Sequence, residues 1–172
     1  DMLGIDVCAY VGDYLAHEYG PRVDSAPLIA KLAEAGRLGE KAGKGFYGYG
    51  DETDEPVKAL IATLPKPEHP EFCVERVIYP LINEAVLALQ EHVAAGPDID
   101  TAMIAGTGMT YKGERMGPLA LADELGLDVV LAGLEDFQRK YGERFRPTQL
   151  LKTYVRAGRL GKKTRRGFNE YA

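Results

Sequence analysis

Two stretches of this chain are near-copies of each other. DMLGIDV (1–7) returns as DELGLDV (123–129), and AGRLGEKAGKGFYGY (35–49) returns as AGRLGKKTRRGFNEY (157–171), both at one ungapped offset of 122 residues. Between them Tyr19-Gly20 matches Tyr141-Gly142, Arg22 matches Arg144 and Leu28 matches Leu150. Roughly 18 of 49 aligned positions are identical, glycines as well as apolar residues, so the chain holds two copies of one unit. The second copy runs from near Phe72 to Tyr171 and sets the length of a whole unit. Carried back by the same offset, the first copy would begin about 50 residues before Asp1, so it is expected to lack its front half. The chain also has no initiator Met and reads as a piece of something longer. The expected organisation is 1–49 as the rear half of one copy, 50–70 as an acidic, Pro-rich linker, and 71–172 as a complete copy.

The unit reads as helical. Val74, Val77, Ile78, Leu81, Ile82, Ala85 and Leu89 share one face of a long helix, in which Pro80 predicts a kink rather than an end. Gly96-Pro97 reads as a stop, Asp98 as the N-cap of a helix through Met103 and Ile104, and Gly106-Thr-Gly108 as its breaker. Pro118 suits a first turn. Asp128 is expected to cap a helix carrying Val130, Leu131, Leu134 and Phe137 to Gly142, and Pro147 to open another with Leu150, Leu151, Tyr154 and Val155 inward, stopped by Gly158. The first copy repeats these last two helices, with Val7, Val11 and Leu15 on one and Leu28, Ile29 and Leu32 on the other. A short helix is expected over Glu55–Leu64. No stretch alternates as a strand, so the fold class is all-α, two tandem helical units.

Charge and composition exclude several partners. The net charge is −5, which argues against a nucleic acid or an anionic membrane as partner of the whole chain. No apolar run approaches a membrane span, the start is not a signal peptide, and Cys8 and Cys73 stand far apart, as reduced thiols of a cytoplasmic protein would. The turn Gly36–Phe46 and its twin Gly158–Phe168 combine glycines and cations. Such a turn can hold a phosphate, but no strand precedes it, and the favoured reading is a tight turn with Phe46 and Phe168 plugging the core. The cluster Lys162–Arg166 reads as a solvated loop ahead of a coenzyme-phosphate contact. His17, His69 and His92 have no partner at catalytic or metal-ligand spacing. The duplicated Asp1/Asp123 and Asp6/Asp128 read as caps, and Asn83-Glu84 as an exposed polar face.

The run Arg76-Val-Ile-Tyr-Pro80-Leu-Ile-Asn-Glu84-Ala85 continues as Ile99-Asp100-x-Ala102-Met103. It is followed by Gly117-Pro118-x-x-Leu121-x-Asp123-x-x-Gly126-x-Asp128 and ends in Gly167-Phe168-x-x-Tyr171. This order is similar to the C-terminal domain of the L-3-hydroxyacyl-CoA dehydrogenases. The first copy, from Asp1-x-x-Gly4-x-Asp6 to Gly43-Lys-Gly-Phe-Tyr-Gly-Tyr49, resembles the later part of the same domain. The resemblance implies a helical fold like the C-terminal domain of 6-phosphogluconate dehydrogenase. It implies a parent enzyme that oxidises 3-hydroxyacyl-CoA to 3-ketoacyl-CoA in fatty-acid β-oxidation or butyryl-CoA metabolism. NAD would be held, with the catalytic His–Glu pair, by a Rossmann domain outside this chain. The helical portion would then wall the acyl-CoA cleft and support a homo-oligomer. The family's substrate-positioning Asn, followed by Arg, falls on Glu75 and Arg76, so no catalytic or NAD-binding residue carries over and no metal is implied. Met116, Gly117 and Pro118 are the candidate substrate-cleft residues. Two alternatives remain: a free-standing helical dimerisation or scaffold module, and a nucleic-acid binder using Lys162–Arg166.

Overall fold

The computed structural model describes residues 1–20, 23, 26–66, 68 and 71–172. Arg22 and His69, both singled out above, lie outside the described residues. The chain divides into two compact units, Asp1–Pro70 and Glu71–Ala172.

In the first unit α1 (Ile5–Tyr19) packs on α2 (Pro27–Glu34), and α2 on α3 (Glu55–Ala62). Proline at the first or second position opens both α2 and α3, where a missing amide costs nothing. The core is small: Ile5, Leu32 and Val57, flanked by Leu28, Ile29, Ala33, Phe46 and Leu60. The helix expected near Glu55 thus exists, and it contributes Val57 and Leu60 to that core. The face expected to point inward on α1 does not. Val7 and Val11 are each about half exposed (49% and 46%), and Tyr10 and Tyr14 beside them are more so.

The second unit is a fuller bundle. Its elements are α4 (Glu75–Gln90), α5 (Gly96–Thr107), α6 (Pro118–Leu125), α7 (Leu127–Tyr141) and α8 (Gln149–Arg156). A two-residue ribbon of β1 (Thr110–Tyr111) against antiparallel β2 (Glu114–Arg115) joins α5 to α6. That ribbon departs from the strand-free expectation; at two residues per strand it is too short to show alternation. Helix α4 runs on through Pro80. It ends in a Schellman closure, His92 N–H to Leu89 O (3.2 Å) and Val93 N–H to Ala88 O (2.9 Å), with His92 in the left-handed region at φ +58°. Gly96-Pro97 starts α5 instead of stopping α4, so Asp98 falls in the first turn and Ala95 takes the N-cap position. Similarly Gly126 takes the N-cap position of α7, and Asp128 lies in the first turn.

The core of this unit joins Ile82 and Val86 of α4, Leu119 and Leu121 of α6, Leu127, Val130 and Leu134 of α7, and Leu151 of α8. Asn83, expected on an exposed face, is buried at 1% exposure. Its Nδ2 donates to Arg146 O (3.0 Å) and its Oδ1 accepts from Thr148 N–H (2.9 Å), so it pins the α7–α8 connection to α4. A buried amide is tolerated because both its ends are satisfied.

Candidate functional site

The glycine-rich turn is built the same way twice. After α8 the chain closes a Schellman motif at Gly158 (Gly158 N–H to Val155 O and Arg159 N–H to Tyr154 O, both 3.0 Å), then folds back with Gly161 paired to Arg166. The amides this fold-back exposes point at Asp123. Its carboxylate accepts from Phe168 N–H (2.8 Å), Asn169 N–H (2.8 Å), Asn169 Nδ2 (3.1 Å) and Tyr171 Oη (2.9 Å). In the first unit Asp1 accepts from Phe46 N–H (2.8 Å), Tyr47 N–H (3.0 Å) and Tyr49 Oη (2.9 Å). Burial, then the bond to Asp123, pushes the Tyr171 phenol well above its usual range. Arg159 Nε donates to Gly167 O (3.0 Å) and Arg37 Nε to Gly45 O (2.6 Å), fixing the far side of each turn. A Cβ at Gly161 would stand 2.2 Å from Asp123 O, and one at Gly39 2.2 Å from Asp1 O, so the motif needs glycine at both.

These turns are therefore anion-binding nests filled by the protein's own carboxylate. Asp1 and Asp123 are not helix caps; they are the ligands of the turn. Phe46 and Phe168 pack against their cores as expected. Four of the turn cations are paired: Lys41 with Asp6 (2.6 Å), Lys163 with Asp128, Lys162 with Glu124 (2.6 Å) and Arg166 with Glu170 (3.4 Å). Lys41 holds the Asp6 carboxyl below its ordinary range, and Lys163 does the same for Asp128. The amides of these two turns that would suit a pyrophosphate already hold Asp1 and Asp123.

A second feature was not read from the sequence. In the second unit a cavity of about 430 Å³ lies among α4, α5, the ribbon and α6. Its walls include Ile78, Tyr79 and Leu81 of α4, Met103 of α5, Met109 and Tyr111 near the ribbon, and Leu121 and Leu125 of α6. Glu75, Thr107 and Thr110 are its other polar liners. Glu75 occupies the position where the resemblance puts a substrate-positioning Asn. Arg76 instead stacks its guanidinium over the Tyr141 ring (4.1 Å) and donates to Glu71 O (3.1 Å). The signal in the sequence was partial: the Ile78/Leu81 stripe and Met103 were legible as apolar positions, but not as the lining of a cavity.

None of Met116, Gly117 and Pro118 is among the cavity's liners. Gly117 and Pro118 are buried and Met116 half-buried against the core. The turn is pressed on α5: a Cβ at Gly117 would stand 2.5 Å from Asp100 Cα. Asp100 Oδ1 and Oδ2 accept Leu119 N–H (2.8 Å) and Ala120 N–H (2.9 Å), capping α6 from a neighbouring helix. Burial raises the Asp100 pKa; the two amides pull it down and the nearby Asp123 raises it further. His17 and His92 are exposed, and the described residues contain no cluster of metal-ligating side chains.

The 3-hydroxyacyl-CoA dehydrogenase C-terminal domain pattern matches residues 1–49 and again 72–171. The chain belongs to this family. A fatty acid oxidation complex subunit alpha from Shewanella amazonensis is 36% identical over 168 residues, covering 92% of this chain and 23% of that protein. A probable 3-hydroxybutyryl-CoA dehydrogenase from Bacillus subtilis is 42% identical over 127 residues, covering 70% of this chain and 42% of that protein. The chain therefore spans less than half the length of either relative. Among solved structures, (S)-3-hydroxybutyryl-CoA dehydrogenase from Ralstonia eutropha superposes with a TM-score of 0.56 at 37% identity, over 75% of this chain and 46% of that one. The Escherichia coli 3-hydroxybutyryl-CoA dehydrogenase shares the fold, with a TM-score of 0.71 at 24% identity over 91% of this chain and 50% of that one. No helix among the described residues is long and apolar enough to cross a membrane.

Proposed function

We propose that this chain is the helical portion of an NAD-dependent 3-hydroxyacyl-CoA dehydrogenase, an enzyme oxidising the 3-hydroxyl of an acyl-CoA to a ketone. The observation that carries this is the family pattern matched twice, over 1–49 and 72–171. In this reading 1–49 is the rear half of one copy and 71–172 a complete one. NAD, bound by a separate dinucleotide domain, supplies the hydride acceptor. This chain's residues wall the acyl-CoA cleft and provide a packing surface. Of the candidate cleft residues Met116, Gly117 and Pro118, Met116 is the one whose half-buried side chain would meet substrate, Gly117 and Pro118 being buried. The Val74–Leu89 stripe, exposed at Val74 and Val77, and the exposed apolar positions of α1 supply surface for self-association.

Two measurements test the reading. The product of the complete reading frame, given NAD and 3-hydroxybutyryl-CoA, is expected to form NADH, while the 172-residue chain alone forms none. Absence of NADH formation by the complete product, across acyl chain lengths, overturns the enzyme assignment. Sedimentation of the chain is expected to show a dimer; a monomer at high concentration removes the packing role.

A further inference from the structure

The glycine-rich turn is sealed in one unit and open in the other. In the first unit the chain folds back after Gly48 and lays α3 on α2, adding Val57 and Leu60 to the core around Leu32. A Cβ at Gly48 would stand 2.2 Å from Glu52 O, so the fold-back lies directly on the turn. Arg37 is sealed beneath it at 3% exposure, its Nη2 donating to Thr53 O (3.1 Å). The repeat offset maps Leu32 and Arg37 onto Tyr154 and Arg159. Both of these are only half-buried, and among the described residues no helix follows the second turn in the place of α3. Tyr154 packs on Phe168 (5.1 Å between ring centres), and this half-buried pair leaves an apolar patch at the surface.

The two faces also differ in charge. From Gln149 to Asn169 there are seven cations and no acid, whereas the twin stretch 27–47 has four cations and two acids. Arg156 and Lys162 stand where the first unit has Glu34 and Glu40. Lys152, Arg156 and Arg165 form no ion pair among the described residues. The first two lie one turn apart on α8, beside Tyr154 and Val155.

We propose that this open face of the second unit docks an acidic amphipathic helix of a partner protein, with aliphatic residues at the spacing of Val57, Leu60, Ile61 and Leu64. The twin face shows the kind of occupant. Segment 50–64, which covers it, carries Asp51, Glu52, Asp54 and Glu55 against Lys58 alone. Helix-in-groove recognition reads aliphatic anchors at such a spacing, and opposite charge around them steers the encounter and fixes orientation. Glu170 stands where the first unit has Gly48, so the same fold-back cannot be repeated over the second turn and the helix comes from another molecule. A nucleic acid would use the cations and leave the Tyr154–Phe168 patch unexplained. The proposal does not rest on the dehydrogenase reading.

A fluorescent synthetic peptide of residues 50–64 is the probe. It is expected to bind the 172-residue chain saturably and to shift the backbone amide NMR signals of Tyr154, Arg159 and Phe168. The double variant Lys152→Glu, Arg156→Glu is expected to weaken binding about tenfold with unchanged helical circular dichroism. A peptide carrying Leu60→Asp is expected to lose binding by at least as much. Raising the ionic strength from about 0.05 to about 0.3 M is expected to weaken it several-fold. No saturable binding, shifts confined to the first unit, equal binding of a scrambled peptide, or undiminished binding by the double variant overturns the proposal. Duplex DNA binding this face more tightly than the peptide also overturns it, in favour of a nucleic acid. A dimer of the chain that the peptide dissociates overturns it in favour of a second copy.

Discussion

The two units share a closing device and differ in what covers their helices. In the second, α4 lies on α7 and drives Val130 and Leu134 to zero exposure. In the first, the twin helix α1 packs on α2, and its Val7, Tyr10, Val11 and Tyr14 are exposed. Yet both units close the aspartate nest with nearly superposable hydrogen bonds. The lesson is one of scale. The nest is set by local turn geometry and one carboxylate, so it forms wherever its residues are present. The core is set by area, and it needs the whole set of helices.

The largest effect is expected at the nest of the second unit. Asp123→Ala strands four donors in a buried site and should cost about 4 kcal/mol, whereas Asp1→Ala, half-buried, should cost about 1–2 kcal/mol. Urea unfolding followed by unit-resolved amide exchange measures both, and equal losses would break the contrast. Next, Leu134→Ala should cost about 3 kcal/mol through the cavity it leaves, while Val11→Ser on α1 should stay within about 0.5 kcal/mol. That expectation is for the dissociated chain at low concentration; a loss at Val11 that grows with protein concentration is what self-association through α1 requires.

How much of this was visible beforehand depended on the range of the cause. The helices and the repeat were legible because glycines, prolines and apolar spacing act within one or two turns. The roles of Asp1 and Asp123 were not, since their donors lie 45–48 residues away. Asn83 was misjudged for the same reason: its partners sit 63 and 65 residues downstream. Residue type points to Asp98 and Asp128 as caps, but α5 starts at Gly96 and α7 at Leu127, with Ala95 and Gly126 in the N-cap positions. The cavity depends on side chains from four elements and left only its apolar positions in the sequence.

Two smaller tests sharpen the comparison. Arg165 sits at φ +57° where the first unit has Gly43 at φ +67°. Arg165→Gly is therefore expected to stabilise the second unit by about 1 kcal/mol, and Gly43→Arg, with open space around it, to cost the first about the same. Thermal melts of both variants check the sign. The smallest effect is expected at the partly exposed Asp128–Lys163 pair. Its depressed carboxyl pKa means a stabilising contribution that is full above the unfolded value near 3.8 and lost as pH falls through the folded one. Lys163→Met should return the Asp128 titration toward 3.8, seen by carboxyl NMR, and flatten the acid limb of stability by no more than a few tenths of a kcal/mol.

The order of the nest along the chain has a consequence for synthesis. Asp123 emerges from the ribosome well before Phe168, Asn169 and Tyr171. A nascent second unit therefore carries an uncompensated acid until those residues have been made. Chains stopped short of those residues would display that acid, and with it an unlatched bundle, to cellular quality control.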